Sequence, residues 1–234
     1  QELECAAGAC RVCLVSVTTG QGIIPGFCAA TSSIVSHLGF DSLVTEHSDV
    51  GGLAEAFRTK ADIILMADDS RFVAMNVHTH YVSDNAEMTA RGFVAGLELM
   101  AKGLKGKEVL VIGCGDLGRS SAKVLAAMGV SVYVCDINPG LSLALQKEIM
   151  NEMNTVIQID NDWRLTPGKD RYIMDASPAA DVIDASVVTR DSYIALPGVP
   201  CGLSTQARAK LSDRYLHDPL QLGVACMVVD ACKP

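Results

Sequence analysis

Three glycines near the middle of the chain have the spacing of a phosphate-binding turn. Gly113, Gly115 and Gly118 follow the apolar residues 109–112 in the pattern GxGxxG. In a dinucleotide-binding turn, the first glycine permits the tight turn, the second lets the backbone approach a pyrophosphate, and the third lets the helix pack closely on the strand. The unpaired N–H groups at the start of that helix then face the phosphates. The spacing therefore predicts a dinucleotide site.

An acidic residue follows at the distance that such a site requires. Asp136 comes 18 residues after Gly118 and directly after residues 131–135, which are typical of a β-strand. A carboxylate there accepts hydrogen bonds from ribose hydroxyls and repels the 2′-phosphate of NADP, so we expect NAD as the cofactor. The alternative is a glycine turn that binds nothing, but it does not account for strand, turn, helix, strand and acid in this order.

Acidic residues also follow two other segments that are typical of strands. Asp68 and Asp69 come directly after residues 62–67, and Asp218 follows His217 near the end of a later segment. Carboxylates at the end of a strand suit a cationic substrate. The alternative for the adjacent pair is that one acid caps a turn while the other is solvated.

The loops at strand ends are further candidate binding segments. Residues 18–27 contain several glycines whose N–H groups suit a carboxylate, although a plain βα turn explains them equally well. The loops that carry Ser177 and Pro178, and then Pro197 and Gly198, lie where Rossmann folds contact ribose and nicotinamide, unless the prolines only end the strands. The expected cofactor-binding residues are Gly113, Gly115, Asp116, Leu117, Gly118, Asp136, Ile137, Ser177, Pro178, Pro197 and Gly198.

Two patterns resemble metal sites but lack the required partners. Cys10 and Cys13 form a CxxC pair, yet no second pair follows at zinc spacing. His78 and His80 alternate faces if their segment is extended. We therefore expect no metal.

The elements that must position these residues predict an α/β fold. Short apolar segments rich in β-branched residues alternate with helical patterns. The predicted strands are residues 12–18, 41–45, 62–67, 109–112, 131–135, 171–177, 192–196 and 214–218. Alternating strands and helices form parallel sheets, so we expect two Rossmann-like parallel-sheet halves, the C-terminal one binding NAD.

A long helix over about residues 86–102 predicts the domain organisation. We expect an N-terminal α/β substrate domain over residues 1–102, a Rossmann NAD-binding domain over 103–220, and a C-terminal helix over 221–234 that can return to the first domain.

Composition excludes several other classes of protein. The chain has 234 residues, 49% of them hydrophobic, which is typical of a globular protein. Its net charge of −8 and scattered basic residues argue against a nucleic-acid partner. No apolar run reaches the roughly 18 residues that span a bilayer. Nine cysteines without a signal peptide fit a reducing compartment, so we expect a cytoplasmic protein that contacts no membrane.

Six segments in order resemble the pyrrolysine synthase family: GIIPGF, GFDSLVT, ILMADDSRF, GCGDLG, PGVPC and DPLQLGVAC. The resemblance implies two Rossmann-type halves around a cleft and an NAD-dependent dehydrogenase. Its implied substrate is (3R)-3-methyl-D-ornithyl-Nε-L-lysine, oxidised at the carbon that bears the terminal amine. The product then closes to the pyrroline ring of L-pyrrolysine. We also expect a homodimer, and the family implies a helical segment upstream that is mostly missing here.

The resemblance also implies roles for individual residues. Asp68 corresponds to the acid that binds the substrate ammonium, and Asp218 is the second catalytic acid, so that either one relays the amine's proton. Asp218 stands where the family pattern has a glutamate, which is one methylene longer. The implied substrate-binding residues are Gly22, Ile23, Ile24, Phe27, Asp68 and Asn85.

Two alternative functions remain open at the level of sequence. One is a dehydrogenase of the shikimate or methylene-tetrahydrofolate type, which normally needs a lysine near its substrate. Lys60 is the only lysine among residues 1–100, and it precedes a strand, at the wrong edge for catalysis. The other is an NAD-sensing module without enzymatic activity, which has no use for a second, acidic site.

Overall fold

The computed structural model describes residues 10–165 and 172–233. Contacts divide them into two units: the first contains the described residues up to Thr89 and from Leu220 onward, and the second runs from Ala90 to Pro219. None of the described helices is both long and apolar enough to cross a membrane.

The first unit is built on a five-stranded sheet. Its strands are β1 (Arg11–Val15), β2 (Asp41–Val44), β3 (Ile63–Ala67), β4 (Phe72–Asn76) and β5 (Val82–Asp84). Its helices are α1 (Phe27–His37), α2 (Asp49–Arg58), the start of α3 (Asn85–Met100), and α7 (Gln221–Ala231). The strand order is β2-β1-β3-β4-β5.

Parallel pairing in this sheet is limited to three strands. β1 pairs in parallel with β2 and β3, whereas β4 is antiparallel to both β3 and β5. Neither β4 nor β5 was expected from the sequence. The connection between β3 and β4 is residues 68–71, which is too short for the crossover that a parallel strand requires, so the chain must turn back.

Both faces of β1 are buried, which explains its apolar sequence. Val12 and Leu14 pack in a cluster with Val224 and Met227 of α7. Cys13 and Val15, on the opposite face of β1, pack in a second cluster with residues of α2 and β3. Strands covered on both faces read as continuous apolar runs, as residues 12–15 do.

The second unit is a doubly wound parallel sheet. Its strands are β6 (Glu108–Ile112), β7 (Ser131–Cys135), β8 (Gln158–Ile159), β9 (Tyr172–Asp175), β10 (Tyr193–Leu196) and β11 (Tyr215–His217). Its helices are α4 (Asp116–Ala127), α5 (Pro139–Met153) and α6 (Thr205–Leu211), besides the larger part of α3. The strand order is β11-β10-β9-β6-β7-β8, and all pairings are parallel.

This order confirms the predicted fold class. If β6 to β11 are numbered 1 to 6, the order read from the β8 edge is 3-2-1-4-5-6, which is the strand order of a dinucleotide-binding fold. The predicted strands of this unit lie within a few residues of observed ones. The strand β8 and the helix α6 were not predicted from the sequence. Residue 171, where one predicted strand was expected to begin, lies outside the described residues.

Candidate active site

The glycine turn between β6 and α4 has the geometry that each glycine was expected to provide. Gly113 has a φ of +88°, which a residue with a side chain adopts only under strain. A Cβ on Gly118 would lie 1.8 Å from the carbonyl oxygen of Gly113, so α4 packs directly on the turn. A Cβ on Gly115 would meet no heavy atom within 4 Å, so this side of the turn is open.

The start of α4 has the features that favour anion binding. The helix begins at Asp116, and Gly115 at its N-cap provides no side-chain hydrogen bond. The first N–H groups of a helix have no partner within it, and they attract anions. The open side of Gly115 and this uncapped helix start therefore fit the pyrophosphate of a dinucleotide.

Asp136 is fixed at the end of β7 by two backbone groups. Its Oδ2 accepts a hydrogen bond from Cys114 N at 2.7 Å, and its Oδ1 accepts one from Asn138 N at 2.8 Å. The carboxylate thus ties β7 to the glycine turn. Each carboxylate oxygen can accept a second hydrogen bond, so capacity remains for ribose hydroxyls. Ile137, the next residue, is fully exposed beside it.

The two loops after β9 and β10 meet through Asp175, a residue that the sequence did not single out. Asp175 is fully buried, and its Oδ1 accepts hydrogen bonds from Ser177 Oγ at 2.7 Å and Ser177 N at 3.1 Å. The carbonyl oxygen of Asp175 accepts from Gly198 N at 3.2 Å. Burial raises the pKa of Asp175, and the bonds from Ser177 oppose that shift. An aspartate two residues before a serine is a turn pattern that could have identified it.

These contacts bring several expected cofactor residues together. A Cβ on Gly113 would lie 3.1 Å from Ser177 N, and one on Gly198 would lie 2.2 Å from the carbonyl oxygen of Ser177. Pro178 is exposed and Pro197 is buried. The glycine turn and both loops therefore lie at the carboxyl ends of β6, β9 and β10, where open α/β sheets bind ligands.

In the first unit, Asp68 is anchored through one oxygen only. Its Oδ1 accepts hydrogen bonds from Ser70 N at 2.7 Å and Arg71 N at 2.8 Å. These backbone bonds, that of Arg71 first, hold the pKa of Asp68 below its usual value. Within the described residues, Oδ2 accepts no hydrogen bond, and the side chain is exposed. The carboxylate is thus oriented and ionised, with one oxygen available.

Asp69 has a different environment. Its Oδ2 accepts a hydrogen bond from Gln21 N at 2.9 Å, and a Cβ on Gly20 would lie 2.1 Å from the same oxygen. Asp69 therefore holds the glycine-rich loop between β1 and α1. The two adjacent acids are not interchangeable, because one turns the chain after β3 and the other positions a second loop.

The loop that Asp69 holds carries exposed apolar side chains. Ile23 is 54% exposed and Ile24 is 66% exposed. Gly22 has a φ of +80° in the same loop. Phe27 begins α1, and its ring packs edge-on against Phe72 at 5.3 Å between centroids. This loop offers an apolar surface beside its backbone N–H groups.

Asn85 lies at the first position of α3. Its Oδ1 accepts a weak hydrogen bond from Thr89 Oγ1 at 3.4 Å, and a Cβ on Gly223 would lie 3.2 Å from its Nδ2. Asn85 thus packs against α7 at a place where that helix has no side chain.

At the other edge of the second unit, β11 ends in His217. The Nδ1 atom of His217 lies 2.9 Å from the carbonyl oxygen of Leu196, the residue opposite it on β10. Asp218 follows and is half-buried. The sequence placed both residues at a strand end, but gave no sign of this hydrogen bond.

The residues of the weak metal patterns have other partners. Cys13 is buried in β1, with its Sγ 3.6 Å from Thr59 Oγ1, and His78 Nε2 lies 2.8 Å from Asp62 Oδ1. His78 and His80 lie in a turn after β4 rather than in an extended segment. No cluster of three or more His, Cys, Asp or Glu side chains suited to a metal occurs within residues 10–165 and 172–233.

Two protein-family models match the sequence. Residues 1–83 match the family described as Pyrrolysine biosynthesis protein PylD, N-terminal domain. Residues 72–158 match the family described as D-isomer specific 2-hydroxyacid dehydrogenase, NAD binding domain, and this range includes the glycine turn and Asp136.

Relatives cover most of the chain. The pyrrolysine synthases of Methanosarcina acetivorans and Methanosarcina barkeri are each 34% identical over 220 residues, which is 93% of this chain and 81% and 80% of theirs. Among solved structures, quinate dehydrogenase from Corynebacterium glutamicum in complex with NAD has a TM-score of 0.64 at 16% identity, covering 95% of this chain and 92% of that one. A likeness at that identity shows the fold alone.

These comparisons and the geometry agree on the class of protein. The NAD-binding family model lies over a turn whose open glycine and fixed acid fit a dinucleotide. The protein is therefore an oxidoreductase with NAD as its cofactor, as the sequence predicted.

Proposed function

This chain belongs to the pyrrolysine synthase family, and from that premise we propose that its substrate is (3R)-3-methyl-D-ornithyl-Nε-L-lysine. The carbon that bears the terminal amine is oxidised, and the product closes to the pyrroline ring of L-pyrrolysine. The observation that carries this proposal is Asp68, a carboxylate with one oxygen anchored to the backbone and the other available for an ammonium group.

The fixed carboxylate of Asp68 suits a substrate that carries several ammonium groups. Its low pKa keeps it charged at neutral pH, and an ionised acceptor forms stronger hydrogen bonds than a neutral one. Because Oδ1 is already held by Ser70 and Arg71, binding costs little side-chain ordering. Asp218 is proposed as a second catalytic acid, one methylene shorter than the glutamate of the family pattern.

The remaining substrate contacts are proposed from the first unit. The loop held by Asp69 places the backbone of Gly22 and the exposed side chains of Ile23 and Ile24 against the aliphatic part of the substrate. Phe27 and Asn85 are proposed as the other contacts. These contacts are thus assigned to the first unit, and NAD binding is assigned to the second.

Residues of the second unit hold NAD. The open backbone at Gly115, with Asp116 and Leu117 at the start of α4, receives the pyrophosphate. Asp136, which the Cys114 N–H holds in place, would accept from the ribose hydroxyls, and the exposed Ile137 would contact the adenine. The loops carrying Ser177 and Gly198 orient the nicotinamide end, which supplies the hydride acceptor when the cofactor is bound.

The lysine required by the main alternative has no counterpart at the expected place. In shikimate-type dehydrogenases a lysine lies near the substrate, whereas Lys60 follows the C-cap of α2, before β3 begins. An NAD-sensing module would not need Asp68 held with a free oxygen. We further propose that the protein is cytoplasmic and that it is a homodimer. Light scattering of the purified protein tests the homodimer.

A turnover assay tests the proposed function. The protein is mixed with the synthetic lysine-linked methylornithine and NAD, and NADH formation is followed together with product mass. We expect substrate-dependent NADH, a mass consistent with the cyclised product, and a lower kcat/KM with NADP because Asp136 repels a 2′-phosphate. Shikimate and quinate are the control substrates. NADH formation with either control, but not with the amine, would contradict the proposal.

A further inference from the structure

Asp175, in the second unit, is a buried acid with one oxygen that has no hydrogen-bond partner. It ends β9 and is fully buried. Its Oδ2 atom accepts no hydrogen bond from the described residues, and a Cβ on Gly202 would lie 1.7 Å from that oxygen. Burying a carboxyl oxygen without a partner costs free energy. Any benefit of an acid at this position must therefore come from the other oxygen, Oδ1.

The tripeptide Asp-Ala-Ser occurs twice in this unit, starting at Asp175 and again at Asp184. Ser177 N donates to Asp175 Oδ1 at 3.1 Å. Ser186 N likewise donates to Asp184 Oδ1 at 2.6 Å, although both of these residues are exposed. Hydrogen bonds from Ser186 lower the pKa of Asp184, whereas burial raises the pKa of Asp175. The local turn thus forms without burial, so the burial of Asp175 needs another explanation.

The hydroxyl of Ser177 has its hydrogen committed to Asp175. Ser177 Oγ donates to Asp175 Oδ1 at 2.7 Å, and the same oxygen accepts from Ser177 N. A serine hydroxyl has one hydrogen and two lone pairs. Because the hydrogen is already used, Ser177 Oγ can only accept a hydrogen bond from a ligand. Ser177 is half-buried, which leaves it partly accessible.

Ser177 and Asp136 lie on opposite sides of the glycine turn. In the sheet, β6 lies between β7, which Asp136 follows, and β9, which ends at Asp175. A Cβ on Gly113 would lie 3.1 Å from Ser177 N, so the loop after β9 adjoins the turn. An NAD with its adenosine ribose at Asp136 and its pyrophosphate at the turn extends its other nucleoside over β9. The neighbour of Ser177 is then the nicotinamide nucleoside.

We propose that Asp175 is a positioning residue that keeps Ser177 Oγ as a hydrogen-bond acceptor for the nicotinamide nucleoside of NAD. The group that Ser177 recognises is a donor, either a carboxamide N–H or a hydroxyl of the attached ribose. The assignment rests on the cofactor placement in the proposed function, but not on the identity of the substrate. It makes the affinity for NAD depend on a donor in that half of the cofactor.

Equilibrium titration of variants with modified cofactors tests this assignment. Acetylpyridine adenine dinucleotide has a methyl ketone in place of the carboxamide and so lacks its N–H groups. NAD analogues with a 2′-deoxy or 3′-deoxy nicotinamide ribose each lack one hydroxyl. ADP lacks the whole nicotinamide nucleoside and is the control ligand. The variants are Ser177→Ala, Asp175→Asn and Asp175→Ala. Ser186→Ala is the matched control, because it removes the serine of the exposed tripeptide.

We expect Ser177→Ala to raise the Kd for NAD roughly three- to tenfold and to leave the Kd for ADP unchanged. One analogue should bind wild type about as weakly as NAD binds Ser177→Ala, and that analogue identifies the donor. Ser177→Ala should bind the same analogue no more weakly, because donor and acceptor belong to one bond. Ser186→Ala should bind every ligand as wild type does.

The two Asp175 variants separate positioning from structural support. Asp175→Asn keeps an oxygen for Ser177, so it should retain the wild-type preference for NAD over that analogue. Asp175→Ala leaves the Ser177 hydroxyl free to rotate, so this preference should disappear. If Asp175→Ala does not fold, Asp175→Asn and Ser177→Ala decide the question.

The assignment is wrong if the losses caused by Ser177→Ala and by every analogue add, since no bond is then shared. It is equally wrong if Asp175→Asn loses the preference for NAD, or if folded Asp175→Ala retains it. Binding is measured without substrate, so these results are independent of the turnover assay. Failure to oxidise the amine would overturn the proposed substrate but not this assignment.

Discussion

At the scale of single residues, adjacent side chains of the same type have different surroundings. Asp68 turns the chain after β3 and keeps one oxygen available, whereas Asp69 uses its carboxylate to hold the loop at Gln21. The difference lies in which backbone N–H groups reach each carboxylate. A role in binding an ammonium therefore fits Asp68 better than its neighbour.

Asp68→Asn is predicted to impair substrate use without affecting the fold. The amide oxygen still accepts from Ser70 N and Arg71 N, but the amide NH2 replaces the oxygen that would accept from the ammonium. Loss of a charge-assisted hydrogen bond should lower kcat/KM roughly ten- to hundredfold. Steady-state kinetics with the lysine-linked methylornithine measure it.

The control is Asp69→Asn, which keeps an oxygen for Gln21 N and should change kcat/KM less. Wild-type kcat/KM in Asp68→Asn, or an equal loss of NAD affinity, would mean that Asp68 is structural. The acid role would then pass to Asp69 or Asp218.

At the scale of elements, the strand–turn–helix unit formed by β6 and α4 is proposed to position the cofactor. Two of its glycines have opposite surroundings: a Cβ at Gly118 would meet the backbone, whereas a Cβ at Gly115 would lie in open space. The first contact holds the helix on the turn. The open space is what a pyrophosphate would occupy.

The variants Gly118→Ala and Gly115→Ala should therefore have contrasting effects. A methyl group at position 118 would lie 1.8 Å from the Gly113 carbonyl oxygen, so the backbone must move and thermal stability should fall, by about 1 to 3 kcal/mol for overpacking. Gly115 has a φ of −70°, which alanine adopts freely, so Gly115→Ala should keep the wild-type Tm. Its Kd for NAD should rise about tenfold, which is about 1.4 kcal/mol.

Scanning calorimetry and NAD titration measure the two quantities on the same samples. The assignment of the open side of Gly115 to the pyrophosphate would be wrong if Gly115→Ala bound NAD as tightly as wild type.

At the scale of the whole molecule, the end of the chain is fixed within the first unit. Asp230 on α7 is buried, and its Oδ2 accepts hydrogen bonds from Ser83 Oγ at 2.8 Å and Tyr81 OH at 2.9 Å. Lys233 Nζ donates to its Oδ1. These bonds join α7 to the segment around β5. Asp230 and Ser83 are 147 residues apart in the sequence.

The first unit should lose stability in acid through Asp230. Burial favours the neutral acid, but hydrogen bonds from Lys233, Ser83 and Tyr81 outweigh it and lower the pKa of Asp230. A lowered pKa means that the stabilisation is present above the unfolded value of about 3.9 and is lost as pH falls through the folded value. Asp230→Asn should lower the free energy of unfolding at neutral pH by about 1 to 3 kcal/mol, with a weaker dependence on pH below about 5.

Denaturant unfolding across this pH range tests the role of Asp230. Glu46→Gln is the control, because Glu46 is exposed in the same unit and its carboxylate accepts no hydrogen bond from the described residues. If the free energy of unfolding falls as steeply in acid for Asp230→Asn as for wild type, other carboxylates are responsible for the acid sensitivity.

The sequence by itself determined the dinucleotide-binding unit and the α/β class. The glycine spacing from Gly113 to Gly118, the apolar strands on either side and Asp136 all lie within one short stretch, so local rules of turn, strand and helix are sufficient there.

Only the tertiary structure decided the features that depend on contacts between distant segments. The antiparallel β4 and β5, the different partners of Asp68 and Asp69, and the buried Asp175 were not evident from the sequence. The Nδ1 atom of His217 lies 2.9 Å from the carbonyl oxygen of Leu196, which is 21 residues earlier on a neighbouring strand. Periodicity and spacing describe neighbours along the chain, whereas these hydrogen bonds form only when separate elements pack together, and they decide which side chains are available for chemistry.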